Sequence, residues 1–248
     1  MITNPASGTN LHEIAPGIYR INTPVEIPGG TPFNFNQYLV ADDEPLLFHT
    51  GPRRLFPHVA DAIGKVLPLE RLRYVAFSHF EADECGSLND FLAAAPSAVP
   101  VASQVAAMVS VDDVALRPAR ALADGEVLRT GRHAFKWLDV PHVPHAWESG
   151  LMMELTTRTM LCGDLFTQGG SGAVALTESD ILGPSEAFRK QMDYYAHAPQ
   201  TTAVLERLAH ERPQVLACMH GSAWRGDGAA LLRALSTALA ARPFAAAA

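Results

Sequence analysis

The chain has 248 residues, 48% of them hydrophobic, and a net charge of −7. This length and apolar content suit a sizeable core, and we predict a single domain over residues 1–248. Scattered basic residues argue against a nucleic-acid surface, and no apolar stretch reaches the roughly 18 residues that a membrane span needs. The N-terminus lacks the basic and apolar regions of a secretory signal. Three cysteines without a CxxC pair favour a reducing cytoplasm.

Hydrophobic periodicity divides the chain into short strands and helices that alternate in both halves. In chain order we predict strands at 17–22, 37–41, 46–50, 73–78 and 100–102, and helices at 52–67, 86–95 and 103–110. The second half predicts antiparallel strands within 126–140 and 151–162, helices at 186–197 and 201–211, a buried strand at 214–219 and a closing helix at 229–241. This interleaving indicates an α/β (α+β) fold, an αββα sandwich of two sheets with helices outside.

The densest group of ionisable side chains directly follows the apolar strand at 73–78. It contains His79, Glu81, Asp83 and Glu84 as candidate metal ligands. Because side chains two apart in an extended segment point the same way, His79, Glu81 and Asp83 are expected to converge on one point. Such a cluster beside an apolar core is costly unless something binds it, and a cation is the simplest candidate. A solvated acidic loop is the alternative.

Three further candidates, His145, Asp164 and His220, lie at predicted strand ends. His145 precedes the turn that begins at Trp147, Asp164 follows the strand that ends near residue 162, and His220 follows the last strand and precedes Gly221. A lone buried His or Asp is usually structural. Loops at strand ends carry chemistry, however, so the joint pattern points to a shared site.

Together these residues resemble the metallo-β-lactamase superfamily, and within it the oxygen-binding diiron domain of flavodiiron proteins. The shared pattern is His-x-Glu-x-Asp at 79–83, a His before a Trp-acidic-Ser turn at 145–149, an Asp at 164 and a His before Gly at 220–221. Eighteen residues separate the second His from the late Asp, as the family pattern expects. The resemblance implies a metallo-β-lactamase-like sandwich that holds two iron ions. One metal would take His79, Glu81 and His145, the other Asp83 and His220, and Asp164 would bridge them.

Two carboxylates bear on the identity of the metals. Hydrolytic members of the superfamily place a His where this chain has Glu81, and a carboxylate there favours iron or manganese over zinc. Glu84 is a departure, since the family usually has a His at this position. Two interpretations stay open: Glu84 ligates the second metal through oxygen, or it points to solvent and leaves that site weak. If it ligates, four carboxylates neutralise two divalent ions.

Other residues are expected to surround the ligands. His49 stands where the superfamily usually has an Asp, and it either hydrogen-bonds to a ligand carboxylate or is a core histidine. His142 is the rival of His145, which the spacing favours, and it is expected to line the pocket. Trp147 and Phe166 are expected to wall an apolar pocket, with core packing as the alternative. Each cysteine lies within two residues of a ligand candidate, either as a small core residue or as a redox sensor.

The resemblance predicts a non-haem diiron protein that binds O2. It would reduce O2 or NO with an external electron donor, or sense oxygen. We expect no catalytic residue separate from the metal ligands. The resembling enzymes carry FMN on a flavodoxin domain. We expect neither that domain nor FMN in this chain, and a flavoprotein or a rubredoxin-like protein is the expected donor. A homodimer is a further expectation. The alternatives are a dinuclear hydrolase of an ester, lactone, thioester or phosphodiester, and a signalling domain with an incomplete metal site.

Overall fold

The computed structural model describes residues 1–241, so the last seven residues of the predicted domain lie outside it. Two sheets contain all the described strands. The first has eight strands in sequence order: β1 Ile2–Asn4, β2 Thr9–Ala15, β3 Ile18–Ile27, β4 Thr31–Val40, β5 Leu46–Phe48, β6 Tyr74–Ala76, β7 Val99–Ser103 and β8 Arg120–Leu122. The second has seven strands, in the order β13-β15-β14-β12-β11-β10-β9: β9 Val127–Arg129, β10 Ala134–Asp139, β11 Gly150–Glu154, β12 Thr159–Leu161, β13 Leu176–Thr177, β14 Val215–Ala217 and β15 Ala223–Arg225.

Helices cover the outer faces of both sheets. They are α1 Phe56–Ile63, α2 Ala82–Cys85, α3 Leu88–Ala94, α4 Gln104–Ala106, α5 Asp112–Val114, α6 Leu182–Met192, α7 Thr201–His210 and α8 Gly228–Ala240. Among these helices, none combines the length and the hydrophobicity that a membrane crossing requires.

The structure has four layers, which are helices, the first sheet, the second sheet and helices. Side chains of the central strands alternate between the core that separates the two sheets and the helices outside. Leu46 and Phe48 on β5 pack into the core between the sheets, whereas Leu47 packs towards the helices of the first sheet. On β14, Val215 faces the same central core and Leu216 faces the helices of the second sheet. Because successive strand residues point to opposite faces, strands buried on both sides read as continuous apolar runs. The predicted αββα sandwich is confirmed.

Several predicted boundaries differ from the structure. The helix predicted at 52–67 shortens to α1, since residues 53–55 form a 3-10 turn and the helix ends before Gly64. The helix predicted at 103–110 is the short α4 followed by a π-helical turn at 107–111. The helix predicted at 186–197 begins earlier and stops at Met192, because Asp193 takes a left-handed conformation with φ of 44°. Strands β1, β2, β8, β13 and β15 were not predicted.

The fold brings the ends of four strands to one edge of the sandwich. The loops after β6, β10, β12 and β14 carry the candidate ligands, and hydrogen bonds join these loops to one another and to β4. Gly150 N donates to Ser78 O at 2.8 Å, and Met219 N donates to Gly163 O at 2.9 Å. Asn36 N on β4 donates to Met219 O at 2.9 Å. Segments that are remote in sequence are thereby fixed side by side.

Candidate metal centre

Four of the predicted ligands form a first group around one point. His79 Nε2 lies 2.9 Å from His145 Nε2 and 3.1 Å from Glu81 Oε2. His145 Nε2 lies 3.2 Å from Glu81 Oε2 and 3.4 Å from Asp164 Oδ2. Ligands about 2.1 Å from one metal ion are separated from each other by about 3.0–3.4 Å, so these spacings match the edges of a coordination shell. The four donor atoms lie within 4.8 Å of one another.

The remaining three predicted ligands form a second group beside the first. Asp83, Glu84 and His220 offer donor atoms that also lie within 4.8 Å of one another. His220 Nε2 lies 3.4 Å from Asp83 Oδ2 and 3.2 Å from Asp164 Oδ1. Since Asp164 Oδ2 faces the first group, its two oxygens point to the two groups separately. This orientation suits a carboxylate that bridges two ions.

The expectation that His79, Glu81 and Asp83 converge on one point is wrong. The chain leaves the extended conformation after Glu81, whose φ and ψ are −138° and 160°, and enters the single helical turn α2. The turn directs Asp83 and Glu84 away from Glu81 and towards His220, which lies in the loop after β14. The run of ligands therefore divides between two adjacent points.

Each histidine of the site is held by its second ring nitrogen. His79 Nδ1 lies 2.9 Å from Ser78 Oγ, His145 Nδ1 lies 2.8 Å from Tyr194 O, and His220 Nδ1 lies 2.8 Å from Asn34 O. All three therefore present Nε2 to the centre. Histidines that ligate metals usually donate their other N–H to an oxygen in this way, which fixes both the tautomer and the ring orientation.

Electrostatics at the site divide the carboxylates into two kinds. Hydrogen bonds from His145 and His79 lower the pKa of Glu81 to about 2. Burial would raise the pKa of Asp164, but His220 and the other histidines outweigh it and lower that pKa. Burial also opposes a charge on His220, yet Asp164 and Asp83 raise its pKa to about 10. Glu84 differs, because burial and the charges of Asp164 and Asp83 raise its pKa well above the usual range.

Comparison with known proteins gives the family. The family model described as "ODP family beta lactamase" matches residues 33–221, which are most of the chain and include every candidate ligand. The chain belongs to this family.

Individual proteins are similar to this ODP-family chain in sequence and in structure. Rubredoxin-oxygen oxidoreductase of Megalodesulfovibrio gigas is 26% identical over 212 residues, which are 80% of this chain and 50% of the relative. This chain thus spans about half the length of the curated relative that it matches. The structure is similar to rubredoxin oxygen:oxidoreductase from Desulfovibrio gigas, with a TM-score of 0.80 and 21% identity over 95% of this chain and 63% of that chain. It is also similar to a flavodiiron core from Synechocystis, with a TM-score of 0.78 and 20% identity over 94% of this chain and 61% of that chain. The predicted resemblance is confirmed.

Glu84 does not point to solvent. Its side chain is fully buried, and neither carboxylate oxygen has a hydrogen-bond partner within the described residues. Glu84 Oε2 lies 3.8 Å from His79 Nε2, at the junction of the two groups. A buried carboxylate without partners is costly, so its placement among ligand atoms fits a metal better than it fits a structural role.

The contacts of His49 favour the core-histidine interpretation over a hydrogen bond to a ligand carboxylate. It is fully buried, and its Nε2 lies 3.0 Å from Ser78 Oγ rather than against a ligand carboxylate. Ser78 in turn contacts His79, so a chain of three side chains supports one histidine of the first group. Burial lowers the pKa of His49 to about 3, so the imidazole is neutral near pH 7.

The other expected pocket residues lie outside the two groups. His142 belongs to neither group, and its backbone N donates to Ala146 O in a tight turn. Trp147 is exposed on the surface. Phe166 is fully buried in the core beneath the second sheet, so core packing describes it and a pocket wall does not.

Aromatic side chains do lie beside the ligand histidines, but they are not the ones that the sequence analysis predicted. The Phe33 ring lies 4.5 Å from the His220 ring, and the Phe35 ring lies 5.5 Å from it. Phe188 stacks on Phe33 at 5.6 Å, and the Tyr194 ring lies 6.2 Å from the His145 ring. These residues come from β4, α6 and the loop after α6. No local motif marks them, because only the tertiary fold brings them to the ligands.

Proposed function

We propose that this protein is a non-haem diiron protein that binds O2 and reduces O2 or NO with electrons from a separate donor. The observation that carries the proposal is the donor set: three histidine Nε2 atoms and four carboxylates in two adjoining groups joined by Asp164. Oxygen-rich ligation favours iron or manganese over zinc. The names of the relatives, a rubredoxin-oxygen oxidoreductase and a flavodiiron core, support the same chemistry.

Residues of this chain divide the work of holding two ions. His79, Glu81 and His145 would hold the first ion, Asp83, Glu84 and His220 would hold the second, and Asp164 would bridge them. Four carboxylates balance the charge of two divalent ions, so the centre is suited to the reduced iron pair. When bound, a pair of iron ions supplies two electrons together to a diatomic substrate.

The surrounding side chains orient the ligands and keep water away from one side. Ser78, Tyr194 and Asn34 each fix one histidine through its Nδ1 atom. Phe33 and Phe35 cover His220, which is buried, so the second ion would lie on the dry side of the centre. The Glu81 side chain is 54% exposed, so the first ion would lie on the side open to solvent. Substrate would enter on that side.

An electron donor must approach the same open side. We propose a rubredoxin-like protein or a flavoprotein as that donor, on the strength of the curated relative's name. Phe80, which follows His79, is 39% exposed and lies beside Glu81 in a groove that α3 and the last residue of α5 complete. A homodimer and a cytoplasmic location complete the proposal, the latter because the three cysteines form no disulfide framework.

Oxygen uptake by iron-loaded protein tests the proposal. The chain would be loaded anaerobically with two ferrous ions, mixed with O2 and excess reductant, and followed with an oxygen electrode. We expect continued uptake, its loss in Asp164→Asn, and its retention in Glu154→Gln, a buried carboxylate away from the centre. Uptake no faster than that of free ferrous ion would contradict the proposal. If zinc-loaded protein instead hydrolysed a thioester or lactone, the site would be that of a dinuclear hydrolase.

A further inference from the structure

Two cysteines lie against each other beneath the candidate metal centre. Cys162 follows β12 and Cys218 follows β14, two parallel strands that pair with Leu161 opposite Ala217. Both thiols are fully buried, and their sulfur atoms are 3.8 Å apart. Neither thiol takes part in the proposed chemistry of the centre.

Strand pairing next to this pair fits the backbone spacing of a disulfide. Paired strands are about 4.8 Å apart, and Cα atoms of bridged cysteines lie about 4.4–6.8 Å apart. Cys162 N donates to Ala217 O at 3.2 Å, which continues the strand pairing up to the cysteines. The carbonyl of Cys218 accepts hydrogen bonds from Asn36 Nδ2 at 2.9 Å and from the Tyr38 hydroxyl at 2.7 Å. Because the two sulfur atoms already lie 3.8 Å apart, a small movement of the side chains would bring them to the roughly 2.0 Å of a covalent bond.

We propose that Cys162 and Cys218 form a reversible dithiol–disulfide pair that is oxidised by hydrogen peroxide or another small peroxide. One sulfur attacks the peroxide O–O bond, which gives a sulfenic acid and releases the first water. The second sulfur then attacks the sulfenic sulfur, which forms the S–S bond and releases the second water. In total the two thiols lose two electrons and two protons, and the peroxide is reduced to two waters. A dithiol reductant reverses the change.

The position of the pair gives this oxidation a consequence. Asp164 and His220 lie two residues beyond the two cysteines, and Met219 N donates to Gly163 O at 2.9 Å between them. A covalent bond would tie together the two strand ends that carry these residues. Both thiols are fully buried, so bulky thiol reagents are excluded, and we expect oxidation only by an oxidant as small as hydrogen peroxide. The pair stands independently of which metal the centre binds.

The chain contains its own control for the experiment. Cys85 is also buried, but its Sγ donates to Glu81 O at 3.2 Å, and no second thiol lies beside it among residues 1–241. The purified protein would be treated with hydrogen peroxide, and catalase would remove the excess. The protein would then be unfolded in denaturant that contains iodoacetamide, which alkylates free thiols, and digested. Mass spectrometry would then identify linked and alkylated peptides.

We expect one cross-link, Cys162 to Cys218, which is lost on treatment with dithiothreitol, while Cys85 never appears in a cross-link. Cys85→Ala should leave the cross-link unchanged, and Cys162→Ala should abolish it. If that variant does not fold, the cross-link analysis of the wild-type protein is sufficient to test the proposal. Sulfinic or sulfonic acid at either cysteine without a cross-link would overturn the proposal. Recovery of both thiols as fully alkylated peptides after peroxide treatment would overturn it as well.

Discussion

Replacing Glu84 with glutamine should raise the stability of the metal-free protein and weaken metal binding. In the structure both Glu84 oxygens are buried without partners, among the carboxylates of Asp83 and Asp164. An unsatisfied buried polar group costs about 1–3 kcal/mol. Because its pKa is raised, the Glu84 carboxyl group is neutral only while it holds a proton, whereas an amide of the same shape is neutral at every pH and can donate to either neighbouring carboxylate. We therefore expect Glu84→Gln to gain about 1 kcal/mol, or about 2–4 °C in Tm for a chain of this size.

Metal binding should change in the opposite direction. Loss of a residue that only hydrogen-bonds to a metal ligand typically lowers metal affinity by about 10–100-fold. Loss of a direct ligand should lower the affinity by at least as much. We expect the first ion to bind as in the wild type and the second to bind at least about 10-fold more weakly. Differential scanning calorimetry in chelator measures stability, and anaerobic ferrous titration measures the two affinities.

Glu154→Gln is the matched control for this variant. Glu154 is equally buried, but it accepts hydrogen bonds from Thr156 N and Thr157 Oγ1 and lies 3.3 Å from His133 Nδ1. Its replacement should destabilise the protein by about 1–3 kcal/mol and leave both metal affinities unchanged. The reasoning would be refuted if Glu84→Gln behaved like this control, with lower stability and normal binding of the second ion.

Three further outcomes are expected. Ser78→Ala removes the oxygen that holds His79 Nδ1, so affinity for the first ion should fall about 10–100-fold in a metal titration. Burial would raise the pKa of Asp42, but hydrogen bonds from neighbouring amides and a hydroxyl lower it to about 2. Because the folded-state pKa is depressed, this carboxylate stabilises the protein above pH 4 and the stabilisation disappears as the pH falls towards 2. Urea unfolding at pH 6 and pH 3 should show a smaller loss on acidification in Asp42→Asn, by about 1–2 kcal/mol. In Gly150→Ala, the new Cβ would overlap the Trp137 ring, so the free energy of unfolding should fall by about 1–3 kcal/mol, and an unchanged value would show that this packing is loose.

The layers of the fold were predictable because they depend on local pattern. Strands such as β5 and β14 are short apolar runs, and their alternation with amphipathic segments such as α7 indicates two sheets with helices outside. The five strands that were missed lie in segments that are short or partly polar, such as β13 with only two residues. Their pairing depends on neighbours that are distant in sequence, which periodicity does not report.

The ligand candidates were predictable because they follow strand ends, but spacing alone does not give their division between two groups, which only the family resemblance implied. Spacing within 79–84 does not show that α2 begins after Glu81, and this turn decides which group Asp83 joins. Residue type also left the burial of Glu84 open. The contact between His49 and Ser78 depends on the parallel pairing of β5 with β6, which brings the two loops together. Contacts of this kind, between a ligand's neighbour and a residue distant in sequence, form only in the folded chain, and a single sequence does not indicate them.

The metal content of the purified protein tests the central claim most directly. The chain would be produced in cells given both iron and zinc, purified without added metal, and measured by mass spectrometry of the elements. The account predicts about two iron ions per chain, a number set by the two groups of ligands around Asp164. Two zinc ions per chain would contradict it in favour of a hydrolase. One metal ion or fewer would show that the group of Asp83, Glu84 and His220 does not hold a second ion.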